Sequence, residues 1–173
     1  VDQLLEEVPH RQIVFTIPKR FRCFFLGQAK MITKLCRAMS EAVAKVMNAS
    51  AGFKKAKAAL ICSVQTFGER LNPHIHLHVL AAEGVFKDGR FYPVFLGQIE
   101  LQLLEQIFAQ RVFALLLRTR KITSWIKDEM QNWRHSGFNV NAQVRVFPDD
   151  EEGLRRVLHY MARHPIAKDR LSY

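Results

Sequence analysis

Three histidines alternate with aliphatic residues in the run His74-Ile75-His76-Leu77-His78. Successive side chains of a strand point to opposite faces, so the imidazoles share one face and Ile75, Leu77 and Val79 share the other. Same-face neighbours stand about 7 Å apart along a strand, and two imidazoles at that spacing can converge on one cation. The run therefore predicts a two-pronged metal site on a rigid strand. His76 and His78 are the main pair, and His74 is a third ligand or a neighbour of the substrate. Three exposed histidines on a solvated sheet face are the alternative. Three of the chain's seven histidines on one short face weigh towards the metal.

A cation needs a further protein ligand. Gln65 and Glu69 shortly precede the histidine strand. Ser63 and Gln65 share one parity of the preceding strand pattern, so Gln65 reaches the histidines if that parity is the metal side. Glu69 offers a carboxylate, which suits a hard cation such as Mg²⁺ or Mn²⁺ better than an amide does. A solvated turn carboxylate is its competing reading.

Further along, Leu154, Val157, Leu158 and Met161 recur at helical spacing, with Tyr160 off the centre of that stripe. One turn from Tyr160 stand Arg156, Arg163 and His164. A phenol among cations is placed to meet a phosphodiester, and tyrosine can act as a covalent nucleophile. A phenol ordinarily titrates near pH ~10, so it needs a metal or an arginine to favour the phenolate. A boundary tyrosine packing its ring edge is the alternative. The metal strand tips the balance towards catalysis.

The elements that must hold these groups follow from periodicity. Arg11 to Ile17 reads as a strand stopped by Pro18, and residues 28–48 as a long helix with Met31, Ile32, Leu35, Met39, Val43 and Val46 on one side. Ala58 to Thr66 and His74 to Ala82 read as strands, and Gly84 opens a hairpin turning at Asp88-Gly89. Helices follow over 97–117 and 122–133. Phe138 to Phe147 alternates as a strand, and a last helix runs to about Arg163, with Asp149 as N-cap and Glu152 completing a capping box. The order is strand, helix, three strands, two helices, strand, helix. This is an α+β antiparallel sheet of about five strands with helices packed on it.

Lys and Arg number 26 against 16 Asp and Glu, a net charge of +10. That balance favours nucleic acid or another anionic surface. Lys54, Lys55, Arg118, Arg120 and Lys121 are candidates to track a phosphate backbone. Hydrophobic residues make up 49% of the chain, which excludes a disordered tail. No apolar run reaches about 18 residues and no signal peptide is visible, so no membrane partner is expected. Cys23, Cys36 and Cys62 fit neither a disulfide framework nor a Cys-x-x-Cys metal site, which points to the cytoplasm. The 173 residues suit one domain, and a chain opening on Val is expected to be a fragment.

The run VQTFGERLNPHIHLHVLAAEGVF (Val64 to Phe86) resembles the rolling-circle transposases of the insertion-sequence ninety-one type, including the common-region elements. These belong to the HUH endonuclease superfamily, in which U is a hydrophobic residue. PHRQIVFTIPKRFR (Pro9 to Arg22), NWRHSGFNV (Asn132 to Val140) and LHYMARHPIAKDRL (Leu158 to Leu171) resemble further blocks of the same family, in the same order. The resemblance implies a ferredoxin-like, RNA-recognition-like sheet. It makes His76 and His78 the metal pair, Tyr160 the nucleophile and single-stranded DNA the substrate. Where the family reads His-Pro-His, this chain has Ile75, so His74-Ile75-His76 also satisfies the triplet; the spacing to Glu83-Gly84 favours the later pair. Some members carry a second tyrosine four residues earlier. Here that position is Arg156, which implies a single-tyrosine member. The family also implies an N-terminal zinc module and further C-terminal sequence, so these 173 residues are expected to be a fragment without them.

The expected chemistry is nicking and rejoining of single-stranded DNA by Tyr160 with a divalent metal, aided by Arg156 and Arg163. A non-catalytic nucleic-acid-binding sheet would instead be indifferent to Mn²⁺. A metallohydrolase using metal-activated water would cleave without a protein–DNA adduct.

Overall fold

The computed structural model describes residues 7–68, 72–133 and 135–162. Strand β1 spans His10–Thr16, and a 3₁₀ turn, Lys19–Phe24, leads into helix α1, Ala29–Ser50. Strands β2, Leu60–Phe67, and β3, Pro73–Ala82, precede a hairpin of β4, Gly84–Lys87, and β5, Arg90–Pro93. Helices α2, Gln98–Arg118, and α3, Ser124–Gln131, are followed by β6, Asn139–Val146, and helix α4, Glu151–Ala162. The fold is α+β.

The main sheet has the order β2-β3-β1-β6, every pairing antiparallel. Leaving aside the hairpin and α3, the connection order is βαββαβ, the ferredoxin-like arrangement. The sheet has four strands rather than about five, because β4 and β5 form a separate ribbon, tied to the segment before β2 by an isolated bridge between Phe86 and Lys57. Its turn falls at Asp88 and Gly89, whose φ values of 50° and 74° match the left-handed pair of a tight hairpin turn.

One face of the sheet is the core. Ile13 and Phe15 of β1 and Ile75, Leu77 and Val79 of β3 are buried against Leu35, Met39 and Val43 of α1 and Leu104, Phe108 and Val112 of α2. Phe15 meets Phe108 edge-on with centroids 5.0 Å apart. Cys36 and Cys62 are free, half-buried thiols packed against this cluster, and Cys23 is exposed. α4 packs on the other face, where Leu80, Val146, Val157 and Met161 form a small second cluster. The histidines share that face with Leu80.

The structure departs from the sequence expectation in β6 and at the start of α4. The alternation of β6 is broken by a bulge: Val14 pairs with Asn141 but Gln12 with Val144. Such an insertion re-aims the side chains beyond it. The N-cap of α4 is Asp150, not Asp149: its Oδ1 accepts from the Gly153 N–H at 2.7 Å. The helix begins at Glu151, so only the residue just before it can reach the orphan N–H groups of the first turn. Glu152, expected to complete the capping box, instead accepts from Arg156 Nη1 at 3.4 Å. Asp150→Ala is expected to cost about 1 kcal/mol, read as a lower denaturation midpoint.

Candidate active site

β3 holds the histidines and its two neighbours surround them. His76 stands opposite Thr16 on β1 and Gln65 on β2; His78 stands opposite Val14 and Ser63. The odd parity of β2 therefore is the histidine side. The rings of His74, His76 and His78 follow one another at 4.9 Å and 4.9 Å. Tyr160 of α4 closes the row, its ring 5.4 Å from that of His78 and nearly perpendicular to it.

α4 is fixed in that position by its apolar stripe and by one polar tie. Val157 and Met161 are buried, while Tyr160, off the stripe, is 50% exposed. Ser63 Oγ donates to the carbonyl of Met161 at 2.7 Å, anchoring the helix one residue beyond Tyr160 on the strand position opposite His78. Ser63 had been notable in sequence only for its parity; this bond spans elements far apart in the chain and leaves no local signal.

The ring nitrogens fall into distinct states. His76 Nδ1 is 2.8 Å from the carbonyl of His74. A carbonyl only accepts, so Nδ1 carries the proton and Nε2 presents a lone pair in the neutral ring. Gln65 Oε1 lies 3.0 Å from that Nε2. Two acceptors at this distance are compatible with an amide turned over, or with neighbouring ligands of one octahedral cation, which at about 2.1 Å from the ion stand roughly 3 Å apart. His78 is 3% exposed, and its Nε2 is buried without a hydrogen-bond partner. Gln12, itself buried, lies 3.5 Å from His78 Nδ1. A buried ring nitrogen without a partner, beside an imidazole and an amide oxygen, fits a divalent cation once Gln12 turns its Oε1 to Nδ1 and so leaves the lone pair on Nε2. Among the described residues no three His, Cys, Asp or Glu side chains converge on a common point, so the donor set at hand is His76, His78 and the Gln65 amide. Glu69 lies outside the described residues.

Burial, and secondly the neighbouring His76, push the His78 pKa from 6.5 down to about 4. Burial also lowers His74, with Arg22 and His76 adding to it, and lowers His10 against an opposing hydrogen bond that its ring donates to the Val8 backbone. All three are thus neutral at neutral pH, the state a metal ligand requires. In the unfolded chain His78 takes up its proton near 6.5, in the fold only near about 4. Between those values the unfolded chain binds more protons, so stability is complete above the window and is lost as pH falls through it. The expected slope from this one group approaches 1.4 kcal/mol per pH unit, about the value for one proton. Denaturation midpoints of the metal-free protein across the window check this; a level profile contradicts it.

A groove of about 550 Å³ runs from His78 and Gln12 past Asn141 and Arg145 to Arg156 and Tyr160. The β6 bulge turns Asn141 and Val144 towards it. Arg156 lies at its rim with partners in Glu152 and Asp150. Arg163 and His164 lie outside the described residues. Of the expected backbone-tracking cations, none lines this groove. Arg118 ends α2 on the helical side of the sheet, Arg120 and Lys121 follow it, and Lys54 and Lys55 sit between α1 and β2.

Behind the groove lies a support that no local sequence pattern marks. Glu83, 1% exposed, is 2.6 Å from Arg11 Nη2 through Oε1 and 2.5 Å from Arg145 Nε through Oε2. Arg11 belongs to β1, Arg145 to β6 and Glu83 directly follows β3, so one carboxylate ties three strands.

Residues 59–173 match the model of a family described as "Putative transposase". The chain belongs to this transposase family. The match takes in the histidine strand, Gln65 and the tyrosine helix; β1, with Gln12, precedes it. Membership makes the transposase a DNA-processing protein with DNA as its partner. No curated protein and no solved structure matches the chain. No helix among the described residues is long and apolar enough to cross a membrane.

Proposed function

We propose that this transposase nicks and rejoins single-stranded DNA through a covalent bond to Tyr160, as in rolling-circle enzymes of the HUH type, and that residues 1–173 are one catalytic domain. The observation that carries the reading is the half-exposed Tyr160 ring stacked edge-on against His78 at the mouth of the groove. A boundary tyrosine would pack its ring edge on apolar side chains, whereas Tyr160 packs on the buried imidazole of His78.

His76, His78 and Gln65 would hold a divalent cation, Mg²⁺ or Mn²⁺, with Glu69 the alternative third ligand. When bound, the ion supplies Lewis acidity and a template for the scissile phosphate. Tyr160 Oη attacks the phosphorus as its proton passes to solvent. The bond from phosphorus to the 3′-oxygen breaks and that oxygen takes up a proton. The products are a 5′-phosphotyrosine and a free 3′-hydroxyl. Attack by another strand's 3′-hydroxyl reverses these bond changes and joins DNA, because the phosphotyrosine bond conserves the phosphodiester. Arg156, at the rim of the groove, would offset charge on the phosphate, and Arg163, outside the described residues, is the second candidate for that role. His74 serves as a neighbour of the substrate.

The test is end-labelled single-stranded DNA incubated with Mn²⁺ and resolved on a denaturing gel. The expected result is a protein-linked band that chelator abolishes. Cleavage without such a band would favour a metal-activated water. Binding without cleavage, indifferent to Mn²⁺, would favour a non-catalytic DNA-binding domain.

A further inference from the structure

The far side of the sheet carries a second cationic feature that the tyrosine chemistry does not use. α1 directs Lys34 and Arg37, and α2 directs Arg111 and Arg118, into one cleft of about 290 Å³ between the helices. Buried Ala38 and Leu115 form its floor. Glu41 is the acid in the lining, and it pairs with Arg111. Lys34, Arg37 and Arg118 have no ion-pair partner among the described residues. Lys34 and Arg37 stand one helical turn apart, and Arg111 and Arg118 two turns, so each pair lies on one side of its helix.

Because α1 and α2 cover the core face, the sheet and a helix about 10 Å thick separate this cleft from His78. Nucleotides held at Tyr160 cannot also lie here, so its ligand is a different segment of DNA or a different molecule.

We propose that the α1–α2 cleft docks the phosphate backbone of double-stranded DNA. The excess of unpaired cations selects a polyanion. No aromatic ring lines the cleft, whereas sites for single strands add rings on which exposed bases stack. A duplex keeps its bases inside and offers closely spaced phosphates, which point charges alone can grip. The transposase thus holds duplex on its helical face while single strand occupies the groove on the other. The proposal rests on DNA being the family's partner and not on the phosphotyrosine step.

The experiment is fluorescence anisotropy of a labelled duplex of about 20 base pairs, and of a single strand of the same length, titrated with the whole chain over a range of salt. Lys34→Ala/Arg37→Ala is expected to weaken duplex binding about tenfold and to make its salt slope shallower by about 2. Single-strand binding and the Tyr160 adduct should stay within about twofold, since neither residue faces the groove. Lys34→Arg/Arg37→Lys should restore duplex binding, and an unchanged denaturation midpoint separates the effect from unfolding. Duplex binding that is unaffected by the double substitution would overturn the proposal and leave the cleft to an acidic protein. Equal weakening for duplex and single strand would overturn it as well. Failure of the Tyr160 adduct alone would leave it standing.

Discussion

Tyr160→Phe is expected to lower Mn²⁺-supported nicking of single-stranded DNA on the order of 10³-fold or more, the scale of losing a covalent nucleophile. The substitution removes one oxygen and little else. The ring is half exposed, and its edge-on contact with His78 is kept by phenylalanine. The α4 anchor is the Met161 carbonyl with Ser63, which does not involve the phenol. Folding, the denaturation midpoint and single-strand affinity should therefore match the parent. His76→Ala/His78→Ala should also abolish nicking, but through lost response to added Mn²⁺. Nicking by Tyr160→Phe at the parental rate would mean that water, not the phenol, attacks.

Glu83→Ala should lower stability by about 3 kcal/mol, and the denaturation midpoint by roughly 6–12 °C. Removing the carboxylate leaves Arg11, whose side chain is 12% exposed, as a buried cation with only the Ala142 carbonyl to accept from it. Arg145 is 36% exposed and can turn to water, which keeps the loss at the lower end of the range for a broken buried pair. Since Glu83 ties β3 to β1 and β6, nicking should fall with the folded fraction and recover where denaturation is suppressed. A change below about 1 kcal/mol would mean that the register of the three strands is held by the apolar core alone.

The face of the histidine strand and the stripe of α4 were legible in sequence because both are local periodicities. Period two aligns His74, His76 and His78; helical spacing buries Val157 and Met161 and leaves Tyr160 aside. Their meeting was not legible from periodicity. It depends on β3 lying between β2 and β1, which brings Gln65 and Ser63 to one flank and Gln12 to the other. Pattern also misjudged β6, where a bulge interrupts an apparently regular alternation, and the cap of α4, where two adjacent aspartates are equivalent until the first turn is formed. Glu83 looked like a spacing marker beside Gly84. Its role is set by arginines in strands remote in sequence, and only the folded sheet pairs Arg11 with Arg145.

In the proposed reaction the groove's tyrosine takes DNA onto itself. Its most direct test is mass spectrometry of the protease-digested adduct formed on single-stranded DNA with Mn²⁺. The expected product is a peptide containing Tyr160 that carries a 5′-linked phosphate and nucleotide on the phenol. A linkage through a 3′-phosphate or on another side chain, or cleaved DNA with the Tyr160 peptide unmodified, would contradict it.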